Sequence, residues 1–418
     1  MENKNNLPNR WLARGLCLTA ASVLALLAAC GGGDIYSEPV PVPSSTPTNT
    51  PAPTNTPTPL PYAVIYSFAA DGSEGAMPFP GLMFDGSGNF YGTAAQGGAS
   101  NKGTAYKITP AGAFTLLHSF GTGSDGALPR SGLVPDNAGN FYGTTFNGGG
   151  AYDSGTVYKM TSSGLVTVLQ SFGGGNGLYP TAALAHDGGG NFYGTTAGGG
   201  NNGLGTVYKI TSSGDFNLVY SFEIGRDGNY PYAGLVHDGA GNFYGTTSSG
   251  GTANKGTVYK VTSAGIYTQL HSFVGGSDGD YPYAGLVADG AGNFYGTTAN
   301  GGANNQGTVY KMTSAGVVSV IHSFAAASDG ANPYAALLLD SAGNLYGTSS
   351  TGAANNSGSV FKLTSTRVFS VLHSFGAAGD GANPSEAALV PDEAGNLYGV
   401  TFNGGANGAG TVFRLPMQ

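Results

Sequence analysis

Charge is scarce in this 418-residue chain: Asp, Glu, Lys and Arg together make up 9% of it, against roughly 25% in an ordinary soluble domain. Only 15 residues are Lys or Arg against 23 Asp or Glu, for a net charge of −8. No basic cluster follows the first 14 residues, so the electrostatic footprint of a nucleic-acid binder is missing and DNA or RNA is not an expected partner. Cysteine is nearly absent too, with only Cys17 and Cys30. Cys17 lies in an apolar leader, so the mature chain is left without an internal disulfide and must be held together by packing. That leader holds the one extended apolar run, Leu16 to Ala29, which is too short to cross a bilayer as a helix. Beyond it no helical hydrophobic period occurs. Abundant instead are glycine (74) and proline (22), which on their own favour disorder, and also Tyr (24) and Phe (21). Placed regularly, those aromatics supply enough apolar surface for a core.

The first 29 residues read as an export signal, with Lys4, Arg10 and Arg14 ahead of the apolar run. The run ends in Leu27-Ala28-Ala29-Cys30, which resembles the lipobox of bacterial lipoproteins. That resemblance implies cleavage before Cys30, lipidation of its thiol, and attachment to the cell envelope through the N-terminal lipid. Gly31, where some lipoproteins carry a retention aspartate, points to the outer membrane in a host that has one. Residues 30–61 form a Pro/Thr-rich tether with nine prolines between Gly31 and Pro61. Such a stretch favours polyproline II and reaches on the order of 90 Å.

Residues 62–418 are one unit written seven times. Tyr91, Tyr142, Tyr193, Tyr244, Tyr295, Tyr346 and Tyr398 mark Gly-Asn-Phe-Tyr-Gly-Thr or a variant, spaced by 51 residues five times and then by 52. Ser-Phe (from Phe68) and Gly-Thr-Val-Tyr-Lys (from Gly103, in variant form) keep the same period. Each unit contains four short runs of strand composition, as in Gly132–Val134, Asn140–Thr145, Thr156–Thr161 and Leu165–Phe172. Four antiparallel strands per period describe a propeller blade, so the expected fold is all-β, a seven-bladed β-propeller. The segment Tyr62–Phe68 matches the fourth strand of a unit and Thr411–Leu415 the third. The two are expected to complete one blade and close the ring. In these motifs the chain resembles the GloVer tandem-repeat family of bacterial surface and secreted proteins, a resemblance that implies this fold and carries no established activity.

Recurrence gives most chemically interesting residues a structural role first. Asp85, Asp136, Asp187, Asp238, Asp289, Asp340 and Asp392 sit at hairpins, where Asp caps a turn. A second acid or amide (Glu74, Asp125, Asn176, Asp227, Asp278, Asp329, Asp380) precedes each repeated proline by four residues. It is expected to meet a backbone turn or the repeated Lys107, Lys159, Lys209, Lys260, Lys311, Lys362 or Arg414. His118, His271, His322 and His373 exchange with Tyr and Gln in other units, which suits hydrogen bonding better than metal ligation. His186 and His237 are assigned to solvated turns. Calcium loops, serine elbows, haem-attachment motifs and phosphate loops are all missing, so neither metal nor cofactor is expected. Asp153, Asp215, Glu223, Asp280 and Glu386 do not repeat, and form no recognisable motif.

The informative signal is variation beside the repeated proline. Tyr179, Tyr230, Tyr232, Tyr281, Tyr283 and Tyr334 flank it in four successive units, where others have Arg130, Thr181 or Ser385. Tyrosines grouped on the long-loop face are suited to stacking on sugar rings or anchoring a protein. The expectation is a monomeric, surface-displayed binding module for a polysaccharide or an envelope protein, without catalytic residues assigned. A glycan hydrolase or lyase, and a purely structural scaffold, remain the alternatives.

Overall fold

The computed structural model describes residues 60–418 except Pro80, Thr122, Gly123, Asn137, Arg226, Ser385 and Ala387. The expected signal segment, Cys30 and the expected tether up to residue 59 lie outside the described residues. The rest is a ring of seven four-stranded antiparallel blades. In the first, Met83–Phe84, Phe90–Ala94, Thr104–Ile108 and Phe114–Ser119 run from the axis outward. The last consists of Val390–Pro391, Asn396–Thr401, Thr411–Pro416 and, as its outer strand, Ala63–Ser67 from the start of the ring. Val64 pairs with Phe413 and Tyr66 with Val412, so the blade that closes the circle is built from both ends.

The Phe-Tyr dipeptide shows why this sequence makes a ring. Neighbouring residues of a strand face opposite sides of the sheet, so Phe looks to the preceding blade and Tyr to the next. Tyr142 stacks on Phe192 at 3.9 Å and Tyr193 on Phe243 at 3.8 Å, and Tyr398 packs at a tilt on Phe90 across the closure at 4.1 Å. A second belt runs outside the first, each Ser-Phe phenylalanine packing on the aromatic of the next blade's third strand. Phe68 meets Tyr106 at 5.2 Å, Phe172 meets Tyr208 at 5.0 Å and Phe375 meets Phe413 at 5.1 Å. Glycine in the second strand makes room for these third-strand rings: a Cβ on Gly194 would lie 2.4 Å from the Tyr208 hydroxyl.

Five of those third-strand rings are tyrosines (Tyr106, Tyr158, Tyr208, Tyr259, Tyr310) whose buried hydroxyls have no partner among the described residues, while the last two blades use Phe361 and Phe413. A buried hydroxyl without a partner costs about 1–3 kcal/mol. Tyr208→Phe is therefore expected to raise the thermal midpoint by a few degrees, at about 1 kcal/mol, in a calorimetric scan. A lower midpoint would mean that the hydroxyl is bonded.

All seven hairpin aspartates cap their turns. Asp136 accepts from the Ala138 and Asn140 amides at 2.8 and 3.0 Å and from the Asn140 side chain at 2.8 Å. Burial alone would raise its pKa, but the Asn140 side-chain and backbone hydrogen bonds outweigh that and lower it. The interblade acids do meet the backbone, as where Asp329 accepts from the Ala325 amide at 2.7 Å, but their side-chain partner is the residue before Ser-Phe and not the repeated lysine. His118, His271, His322 and His373 bond Asp125, Asp278, Asp329 and Asp380 at 2.8–3.1 Å, and Tyr66 and Tyr220 bond Glu74 and Asp227. The lysine lies elsewhere because strand register pairs it with the motif tyrosine: Tyr142 is opposite Lys159, and its ring lies 5.7 Å from the ammonium. His186 and His237 also depart from expectation, stacking on Phe192 and Phe243 at 4.6 and 4.7 Å.

Candidate functional site

The residue before each repeated proline ties neighbouring blades together. Met77, Leu128, Tyr179, Tyr230, Tyr281, Asn332 and Asn383 all have φ between +53° and +61°. This left-handed conformation is costly for residues other than glycine and persists where its surroundings enforce it. Here each amide donates to the long loop of the preceding blade, as Tyr230 does to the Leu204 carbonyl at 3.0 Å and Tyr281 to Lys255 at 3.1 Å. The Tyr230 carbonyl in turn accepts from Ser248 of its own blade at 3.1 Å.

This backbone geometry separates the six candidate tyrosines into two sets. Tyr179, Tyr230 and Tyr281, before the proline, are exposed (37–41%). Tyr179 stacks on Phe146 and Tyr281 lies beneath the Lys255 ammonium. Tyr232, Tyr283 and Tyr334, after the proline, are partly buried and line a pocket of about 340 Å³ on the propeller axis. Tyr232 and Tyr283 stack at 4.7 Å, and Tyr283 meets Tyr334 edge-on at 5.5 Å. Only Tyr230 bridges the sets, 6.3 Å from Tyr232. Gly81, Gly132, Ala183, Gly234, Gly285 and Ala336, two residues further along, line the same pocket. Their size lets the inner strands approach closely, with an added Cβ on Gly234 falling 3.0 Å from the Ala183 carbonyl.

Two charged residues complete the pocket, and both are departures from the repeat. Arg130 occupies the position of Tyr232, Tyr283 and Tyr334 in an earlier blade. Its guanidinium lies 4.5 Å from the Phe146 ring and 5.2 Å from Phe79, and its Nε is buried without a partner among the described residues. Glu386 stands two residues after its proline, where other blades have Pro80, Ser131 or alanine. It has φ +60°, a left-handed backbone not found at Ser131, Ala182, Ala233, Ala284 or Ala335. Thr195 and Thr246 bond the carbonyl at this position of the next blade, Ala233 and Ala284, at 3.0 Å. The corresponding Thr348, next to the Glu386 blade, has no partner among the described residues.

Burial pushes the Glu386 carboxyl up to about 7, with the Arg130 charge pulling the other way. Burial, together with the Glu386 charge, also raises Tyr283 and Tyr334, and Tyr232 is raised by burial with smaller contributions from Tyr230 and Glu386. The three hydroxyls therefore remain protonated near neutral pH. The pocket thus offers aromatic faces, hydroxyl donors, one cation and one carboxyl that titrates near neutrality. The other non-repeating acids go elsewhere: Asp280 pairs with Lys255 at 2.6 Å, Asp153 and Asp215 bond their own loops, and Glu223 is exposed. Among the described residues no three His, Cys, Asp or Glu side chains gather in a way that would hold a metal ion.

A family model described as the Gloeobacter/Verrucomicrobia repeat matches residues 54–257 and again residues 234–418. The chain belongs to this family. No curated protein matches it, but solved structures share the fold of this Gloeobacter/Verrucomicrobia repeat protein. Virginiamycin B lyase from Staphylococcus aureus aligns with a TM-score of 0.57 at 12% identity, over 85% of this chain and 98% of the other. The BP39L lectin from Burkholderia pseudomallei aligns with a TM-score of 0.57 at 10% identity, over 82% and 96%. A puromycin-hydrolyzing peptidase from Mycobacterium tuberculosis gives 0.54 at 10% identity, over 86% of this chain but 55% of the peptidase. At such identities the likeness concerns the propeller scaffold.

Proposed function

We propose that this repeat protein is a surface-displayed lipoprotein whose propeller binds a saccharide in its axial pocket. The observation that carries this reading is the convergence of Tyr232, Tyr283 and Tyr334 on one pocket, together with Arg130 and Glu386. Aromatic faces cover the apolar face of a sugar ring while hydroxyl, guanidinium and carboxyl groups select its hydroxyls. The pocket volume suits a mono- or disaccharide unit, and the scaffold is one that the Burkholderia lectin also uses. Hydrolysis is the less favoured reading. A glycosidase needs two carboxyls about 5–9.5 Å apart, and Glu386 is the single carboxylate among the described residues lining the pocket.

The test is a saccharide microarray probed with the full chain, followed by calorimetric titration of the hits and analysis of the sugars for cleavage. Tyr283→Ala is expected to weaken binding at least about tenfold, or ~1.4 kcal/mol, with the saccharide recovered intact. Tyr281→Ala, on the outward set, is expected to change affinity less than about threefold. Undiminished binding by Tyr283→Ala, or no binding at all, would rule the axial pocket out.

A further inference from the structure

We infer that the saccharide taken by the axial pocket is acidic, and that its carboxylate docks on the edge of Arg130 beside Glu386. This inference rests on the saccharide reading above and names the ligand's chemistry.

Arg130 is suited to this role in a way that the tyrosines lining the same pocket are not. Phe79 and Phe146 lie against its guanidinium, so its remaining capacity is the fork of N–H donors along the edge. That fork matches a planar carboxylate bidentately. Its Nε is buried and, among the described residues, unpartnered. Glu386 does not form an ion pair with it within 4.0 Å among the described residues. A partly buried cation with an unpartnered Nε, and no carboxyl in ion-pair contact among the described residues, is a site left open for an anion from outside.

Glu386 determines when that anion can enter. The titratable or charged groups facing it are Arg130, Tyr232, Tyr283 and Tyr334. With the tyrosines neutral, the pocket carries no net charge when Glu386 is ionised and one positive charge when it is protonated. An ionised Glu386 competes for Arg130 and repels the ligand's carboxylate, whereas a protonated one offers an O–H to it. Its carboxyl titrates near 7, and a negative ligand alongside shifts it further up. Apparent affinity is therefore full below about pH 6 and falls toward tenfold for each pH unit above 7, as the competent fraction shrinks.

The experiment titrates the full chain with digalacturonate, with its carboxyl-reduced neutral counterpart and with a sulfated disaccharide, from pH 5.5 to 8.5. Digalacturonate is expected to bind at least tenfold more tightly than the neutral sugar at pH 6, and to lose affinity as the pH rises. Arg130→Gln should abolish that preference, and Arg130→Lys, which keeps the charge without the fork, should restore only part of it. Glu386→Gln should hold digalacturonate with an affinity independent of pH. Near-UV circular dichroism and the thermal midpoint establish that each variant is folded. If the neutral sugar binds as well as digalacturonate, or only the sulfated sugar binds, the inference falls while the saccharide reading stands. If pH dependence persists in Glu386→Gln, the role given to Glu386 is wrong. If none of the three sugars binds, the acidic ligand is overturned, and the microarray decides separately on the saccharide reading.

Discussion

Deleting residues 62–68 from the full chain is expected to abolish its cooperative unfolding transition. The deletion removes the outer strand of the last blade, and with it the pairing of Ala63–Ser67 with Thr411–Pro416. It also removes Phe68, fully buried against Tyr106 of the first blade, a loss worth about 3–5 kcal/mol alone. Tyr62 goes as well, which stacks on His373 at 3.6 Å and bonds Asp380. Against a total stability of typically 5–15 kcal/mol, the ring cannot absorb these losses together. Phe413 and Val412, both completely buried, would be left under an open strand edge that invites pairing with other chains. Calorimetry should show no sharp transition and light scattering should show association, with a synthetic peptide of residues 60–70 restoring part of the transition. A truncated chain melting within a few degrees of the parent would show that closure contributes little.

The second large effect is expected from a single methyl group. Gly194→Ala places a Cβ 2.4 Å from the Tyr208 hydroxyl, 2.5 Å from its Cζ and 2.8 Å from Leu184 Cδ2. The Tyr208 ring is fully buried against Phe172 and Phe216, so it has nowhere to retreat. Overpacking of this kind costs about 1–3 kcal/mol and occasionally more, and the upper end is expected because both neighbours are fixed. Gly189→Ala, on a hairpin where the nearest atom would be 3.4 Å away, should be neutral. Chemical denaturation of both variants measures the difference. Equal midpoints would mean that the strand shifts freely enough to accept the methyl.

The architecture was readable because each blade repeats its own local rules. Phe-Tyr alternation and the Asp-capped hairpins follow from short-range spacing, and Tyr62–Phe68 pairs where its resemblance to a fourth strand predicts. Contacts that depend on register between strands were harder. Lys159 lies over Tyr142 because the second and third strands pair those positions, and spacing along the chain does not reveal that. The six tyrosines looked equivalent in sequence because they flank the same proline. The left-handed backbone at Tyr179, Tyr230 and Tyr281 turns those three outward, and leaves Tyr232, Tyr283 and Tyr334 on the axis. Arg130 and Glu386 were visible only as departures from a pattern. Nothing in one blade's sequence says that its departure will line the same pocket as another's.

That convergence has a consequence for how the lining of such a pocket changes. Five blades contribute one residue each, the one after the proline, to a circular word that reads Arg130, Thr181, Tyr232, Tyr283 and Tyr334 around the pocket. The aromatic belts, hairpin caps and interblade amides that hold the ring lie outside this word. A letter can therefore be exchanged without respelling the scaffold, and duplicating or recombining blades changes the pocket lining while the frame is copied unchanged.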